Sequence, residues 1–84
     1  MSKLEIFKKK LIYRSSYRGT KEMDILLSSF VKKYINEFSK TQLNDLDKFL
    51  DYEDSIIINF YYNGIAENNI AKNKISEIFK NFKI

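Results

Sequence analysis

Apolar residues return along this chain at three- and four-residue intervals, separated by short polar stretches, and that period marks amphipathic helices. Leu4, Phe7 and Leu11 recur at helical spacing with Ile12 beside them, which predicts a first helix from about Lys3 to Tyr17. Gly19 follows where a left-handed C′ residue would end it, because glycine carries no Cβ penalty there. Thr20 is placed to cap the next helix, and Glu22 and Asp24 fall in its first turns, where acidic groups complement the positive end of the macrodipole. Met23, Leu26, Leu27, Phe30, Val31, Tyr34 and Phe38 give that second helix, about Lys21 to Phe38, a broad apolar face. Ser39-Lys40-Thr41 makes the next break, with Thr41 as N-cap. A third helix, about Gln42 to Tyr52, carries Leu43, Leu46, Phe49 and Leu50 on one side and Asp45, Asp47, Lys48 and Asp51 on the other.

The stretch Ser55 to Tyr62 reads two ways. Its Ile-rich and aromatic composition favours a strand, and Asn63-Gly64 resembles a hairpin turn. No matching strand follows, since Ile65 to Asn69 is a poor partner, and a lone strand leaves its backbone groups unsatisfied. The segment is therefore expected to form a short helix capped by Asp54 and ended near Gly64. A last helix, about Glu67 to Phe82, places Ile75, Ile78, Phe79 and Phe82 on one side. Proline is absent and glycine occurs twice, so few breakers interrupt the helices. The expected fold is all-α, a compact five-helix bundle forming a single domain over residues 1–84, with an aromatic-rich core.

Composition narrows the chemistry. The chain has 84 residues without cysteine or histidine, which excludes a disulfide framework, a thiolate nucleophile, an imidazole base and a Cys/His zinc site. A catalyst built on it would depend on carboxylates, amines, guanidinium or hydroxyl groups. No apolar run approaches the roughly 20 residues of a membrane span, and the first ten residues hold no signal-like apolar core. A soluble, cytoplasmic chain that is monomeric when free is expected. The net charge is +4, but thirteen of the fifteen basic residues are lysines spread along the chain, with one cluster at Lys8-Lys9-Lys10. Charge of that kind reads more simply as solvated surface than as a nucleic-acid footprint.

Both arginines fall in one segment, Tyr13-Arg14-Ser15-Ser16-Tyr17-Arg18-Gly19-Thr20-Lys21-Glu22-Met23-Asp24. Arginine offers a planar fork for carboxylate or phosphate that lysine cannot reproduce. Tyr13 and Tyr17, four apart, share one helix face. Mixed charge and aromatic groups at a helix corner suit a protein-binding patch better than a catalytic pocket. The competing explanation is structural: Arg18 pairs with Glu22 across the corner and Gly19 is merely a cap. The acidic residues Asp45, Asp47, Asp51, Glu53 and Asp54 lack EF-hand spacing and read as a solvated face plus a cap.

These residues resemble the signature of the SdhE family, flavinylation factors for succinate dehydrogenase in bacteria and mitochondria. Leu11-Ile12-Tyr13-Arg14-Ser15 and Arg18-Gly19-Thr20-Lys21-Glu22-Met23-Asp24 are similar to its R-G-x-x-E hallmark, followed by an apolar residue and Asp, and Ile25-Leu26-Leu27-Ser28-Ser29-Phe30 to the Leu-rich helix after it. Leu46-Asp47-Lys48-Phe49-Leu50-Asp51 and the stretch from Asp54 to Gly64 resemble the second block, an acidic loop and short aromatic helix. Tyr17 stands where many members have a second arginine, and Phe60 where tryptophan is usual.

The resemblance implies a non-enzymatic assembly factor. It would bind the flavoprotein subunit of succinate dehydrogenase, in some organisms that of fumarate reductase, and promote covalent FAD attachment there. The FAD would be the partner's cofactor, with none held stably by this chain. Arg18, Gly19 and Glu22 would sit at the contact, with Arg14, Tyr17, Lys21 and Asp24 around them, and Glu22→Ala or Gly19→Arg would remove function with the fold intact. The alternative is a small basic helical protein that binds nucleic acid or acts as an antitoxin.

Overall fold

The computed structural model describes residues 2–64 and 70–84. It contains five helices, α1 (Lys3–Ser16), α2 (Lys21–Tyr34), α3 (Lys40–Phe49), α4 (Asp54–Asn63) and α5 (Lys74–Asn81), and no strand among the described residues. The all-α, five-helix expectation holds, and the chain forms one globule with a radius of gyration of 12.0 Å.

Local chemistry explains each helix start. Ser2 Oγ accepts the Glu5 N–H at 3.1 Å and opens α1. Thr20 Oγ1 accepts the Met23 N–H at 3.2 Å and opens α2, as the sequence predicts. The third start differs: Ser39, not Thr41, is the N-cap. Ser39 Oγ accepts from the Gln42 N–H while Gln42 Oε1 accepts from the Ser39 N–H, a reciprocal box unavailable to Thr41 in that register. The last helix begins at Lys74 rather than Glu67, behind an Asn73–Ser76 box of the same kind. Glu67 to Asn69, part of the expected helix, lie outside the described residues.

Helix ends also moved. α2 stops at Tyr34, and Ile35 to Glu37 form a turn tightened by the Glu37 N–H donating to Tyr34 O at 2.9 Å. Phe38 nevertheless stays buried, which is why the apolar periodicity ran past the true end. Helix α3 likewise ends at Phe49, three residues before Tyr52. α4 is helical, as argued from its missing strand partner, but its N-cap is Glu53 with no side-chain bond. Gly64 closes it in the left-handed conformation, φ 68°.

Phe30 sits at the centre of the core. Its ring lies 5.1 Å from Phe79, 5.5 Å from Phe82 and 6.3 Å from Phe38, centroid to centroid. Phe79 in turn meets Phe49 and Tyr61, each at 5.1 Å. Leu11, Leu26, Leu27, Leu43, Leu46, Ile57 and Ile75 fill the remaining space. Leu4, assigned to the apolar face of the first helix, is exposed at its outer end.

Candidate functional site

The α1–α2 corner is built by carboxylates that arrive from elsewhere in the chain. The Arg18 side chain is only 12% exposed. Its Nε donates to Asp54 Oδ1, its Nη1 to Leu50 O and its Nη2 to Tyr52 O, each at 2.8 Å. Each of the three guanidinium nitrogens of Arg18 therefore donates to a group between the end of α3 and the start of α4. The Arg18–Glu22 pair of the competing structural explanation is not formed. The Arg18 N–H donates to Asp24 Oδ1, and the Gly19 N–H donates to Asp54 Oδ2 at 2.9 Å.

Gly19 is not left-handed; among the described residues the one positive-φ glycine is Gly64. The physical reason for glycine is close approach instead. A Cβ on Gly19 would lie 3.0 Å from Asp54 Oδ2, an oxygen already clamped by the Gly19 N–H and by the ion pair on its neighbouring oxygen. A side chain at position 19 therefore disturbs the corner itself as well as its surface, which amends the expectation that Gly19→Arg leaves the fold intact.

Arg14 is also turned inward. Its guanidinium pairs with the carboxylates of Asp47 and Asp51, and its Nη1 also donates to Asp47 O at 3.1 Å. Asp47, Asp51 and Asp54 thus serve as counter-ions for the two arginines, although Asp51 also stays exposed as a solvated face would, and the α4 cap is Glu53 rather than Asp54. A sequence signal for this existed: both arginines fall within five residues of each other, and Asp47, Asp51 and Asp54 recur at similarly short intervals.

What remains outward is a compact set. Tyr17 is 70% exposed and packs against Tyr13, with centroids 4.5 Å apart and the rings tilted by 35°. Gly19, Lys21 and Glu22 are exposed in sequence around the start of α2, and Asp24 is half-buried behind them. Glu22 meets an aromatic residue from the far side of the corner. Tyr62, in the last turn of α4 and 64% exposed, donates its hydroxyl to Glu22 Oε1 at 2.8 Å. That bond, together with the charge of Glu22, raises the Tyr62 phenol above its ordinary value. A cleft of about 720 Å³ lies apart from this corner, lined in part by Phe60, Ile70, Ser76 and Lys80. None of the expected site residues borders it.

The corner thus joins the Arg-Gly-x-x-Glu segment to the acidic α3–α4 connection and the aromatic end of α4, the two sequence blocks read separately above. Residues 9–83 match the family described as the flavinator of succinate dehydrogenase. The chain belongs to this family. Curated relatives named mitochondrial succinate dehydrogenase assembly factor 2 include that of Debaryomyces hansenii, 36% identical over 81 residues, covering 96% of this chain and 54% of the relative. The Scheffersomyces stipitis protein is 49% identical over 51 residues, covering 61% of this chain and 34% of its own. That of Dictyostelium discoideum is 38% identical over 60 residues, 71% of this chain and 43% of the relative. The chain spans about half or less of the length of these relatives. No solved structure gives a significant match. Among the described residues, no helix of this flavinator-family chain is long and apolar enough to cross a membrane.

Proposed function

We propose that this chain is an assembly factor that docks onto the flavoprotein subunit of succinate dehydrogenase and promotes covalent attachment of FAD to it. Family membership supports the reading, and one observation of the fold carries it: Glu22 stands exposed on a corner whose arginines are already neutralised internally. A corner so braced presents Tyr17, Gly19, Lys21 and Glu22 as a fixed surface. Arg14, Arg18 and Asp24 shape that surface from behind. The paired, exposed rings of Tyr13 and Tyr17 add the kind of aromatic area that anchors protein interfaces.

The mechanism is a shift of population rather than catalysis by this chain. Flavin attachment uses the flavoprotein's own site, and the factor, binding one arrangement of that subunit better than the others, raises its occupancy. The chain acts as a non-enzymatic monomer, holds no FAD of its own, and serves the fumarate reductase flavoprotein where that client exists. It works in the compartment where its client folds, taken here as the cytoplasm; the relatives' names point to mitochondria, and cell fractionation separates the two.

The nucleic-acid alternative loses its best groups. Both arginines, the residues suited to phosphate, are paired with aspartates, and Lys8 of the basic cluster donates to Asn36 at 3.2 Å.

Co-purification tests the proposal. The tagged chain is expected to retain the flavoprotein subunit, and Glu22→Ala to lose it together with covalent flavin fluorescence. Unchanged capture and a normal flavin level in the Glu22→Ala strain would overturn it.

A further inference from the structure

We infer that Tyr62 is a positioning residue for the docking surface, holding the Glu22 carboxylate in place before a partner arrives. The inference rests on the reading of Glu22 as a partner contact and names the residue that orients it.

The placement of Tyr62 is over-determined by its own helix. Tyr61, its neighbour, is fixed in the core: the Tyr61 hydroxyl donates to Phe82 O at 2.6 Å, and its ring lies 5.1 Å from Phe79. The Tyr62 ring meets Tyr61 edge to face at 5.2 Å. Gly64 then ends α4 two residues later, with the Gly64 N–H donating to Phe60 O at 2.9 Å. The phenol is thereby carried to the α2 N-terminus, forty residues away in sequence, where its hydroxyl reaches Glu22 Oε1.

A hydrogen bond between two exposed groups adds little to folding, because water supplies nearly equal partners to both. Its effect falls on conformational freedom instead. A free glutamate samples many rotamers, and binding must select one of them. With Oε1 occupied by Tyr62, the other carboxylate oxygen has no bonding partner among the described residues and faces outward as an acceptor. A partner that donates to it meets a group already oriented. The bond also couples α4 to α2, so the aromatic end of α4 contributes to the same surface as the Arg-Gly-x-x-Glu segment.

The test is a double-mutant cycle on binding to the purified flavoprotein subunit of succinate dehydrogenase, read by calorimetric titration. Tyr62→Phe keeps the ring on Tyr61 and removes only the hydroxyl. It is expected to weaken binding roughly three- to tenfold, the cost of ordering one long side chain, with an unchanged unfolding midpoint. Glu22→Gln, which keeps an acceptor for the phenol but loses the charge, is expected to weaken binding at least about tenfold. In the Glu22→Ala background Tyr62→Phe is expected to have no further effect, because the phenol acts through the carboxylate. Parent-like affinity of Tyr62→Phe, or an undiminished effect of it in the Glu22→Ala background, would overturn the inference while leaving Glu22 as a contact. Parent-like affinity of Glu22→Ala would overturn the docking assignment and this inference together.

Discussion

Arg18 and Asp54 lie thirty-six residues apart and form a two-part clamp: Arg18 Nε meets Asp54 Oδ1 at 2.8 Å while Asp54 Oδ2 takes the Gly19 N–H at 2.9 Å. One carboxylate thus binds two successive residues of the α1–α2 corner, and the same guanidinium closes the carbonyls of Leu50 and Tyr52. The corner that carries the exposed Glu22 is held by a largely buried guanidinium and a half-buried carboxylate. The exposed carboxylate and the brace lie within one short motif.

Removing the brace should unfold the protein before it changes its surface chemistry. Arg18→Ala removes the guanidinium from Asp54 Oδ1 and from the carbonyls of Leu50 and Tyr52, leaving Asp54 only its bond to the Gly19 N–H, and breaking such a pair costs about 3 kcal/mol or more. Arg18→Lys should recover only part, since an ammonium cannot span three acceptors. Urea denaturation of both variants measures this. Arg14→Ala should cost less, about 1 kcal/mol, because its aspartate partners are more exposed.

Gly19→Ala should cost about 1–2 kcal/mol through the crowding of its new Cβ against Asp54. That cost should shrink in an Asp54→Ala background, where the blocking oxygen is gone. Additive losses in the two backgrounds would place the glycine requirement elsewhere.

The Tyr62–Glu22 bond should respond to alkali. Glu22 raises the Tyr62 phenol above its ordinary value of 10.0, first by accepting its hydrogen bond and then by its charge, with small contributions from burial and Tyr61. A raised folded value favours the protonated phenol in the native state. Its contribution is therefore complete below the ordinary value and is lost as pH rises through the raised one. Ultraviolet titration should show Tyr62 ionising late, and Glu22→Ala should return it towards its ordinary value.

Phe30→Ala should be the severest of the core truncations. The ring is fully buried against Phe38, Phe79 and Phe82, and emptying such a site costs about 3–5 kcal/mol. For a domain of this size that is a large share of the total stability, so loss of the cooperative thermal transition at 37 °C is expected by circular dichroism.

The sequence by itself determined the elements and the core. Leu26, Phe30 and Val31, or Ile75 and Phe79, bury because helical period and hydrophobicity act locally, and caps such as Thr20 and Gly64 are written within a few residues of the ends they set. It also determined the family, through the Arg-Gly-x-x-Glu spacing. Helix ends were less legible, since Phe38 continues the apolar period after α2 has stopped.

Only the tertiary structure decided what each polar residue of the corner does. Arg18 had Glu22 within reach in sequence but met Asp54, and Glu22 met Tyr62. Ion pairs and hydrogen bonds are short-ranged and directional, so their partners are chosen by how helices cross, and no local pattern encodes a contact over thirty-six or forty residues.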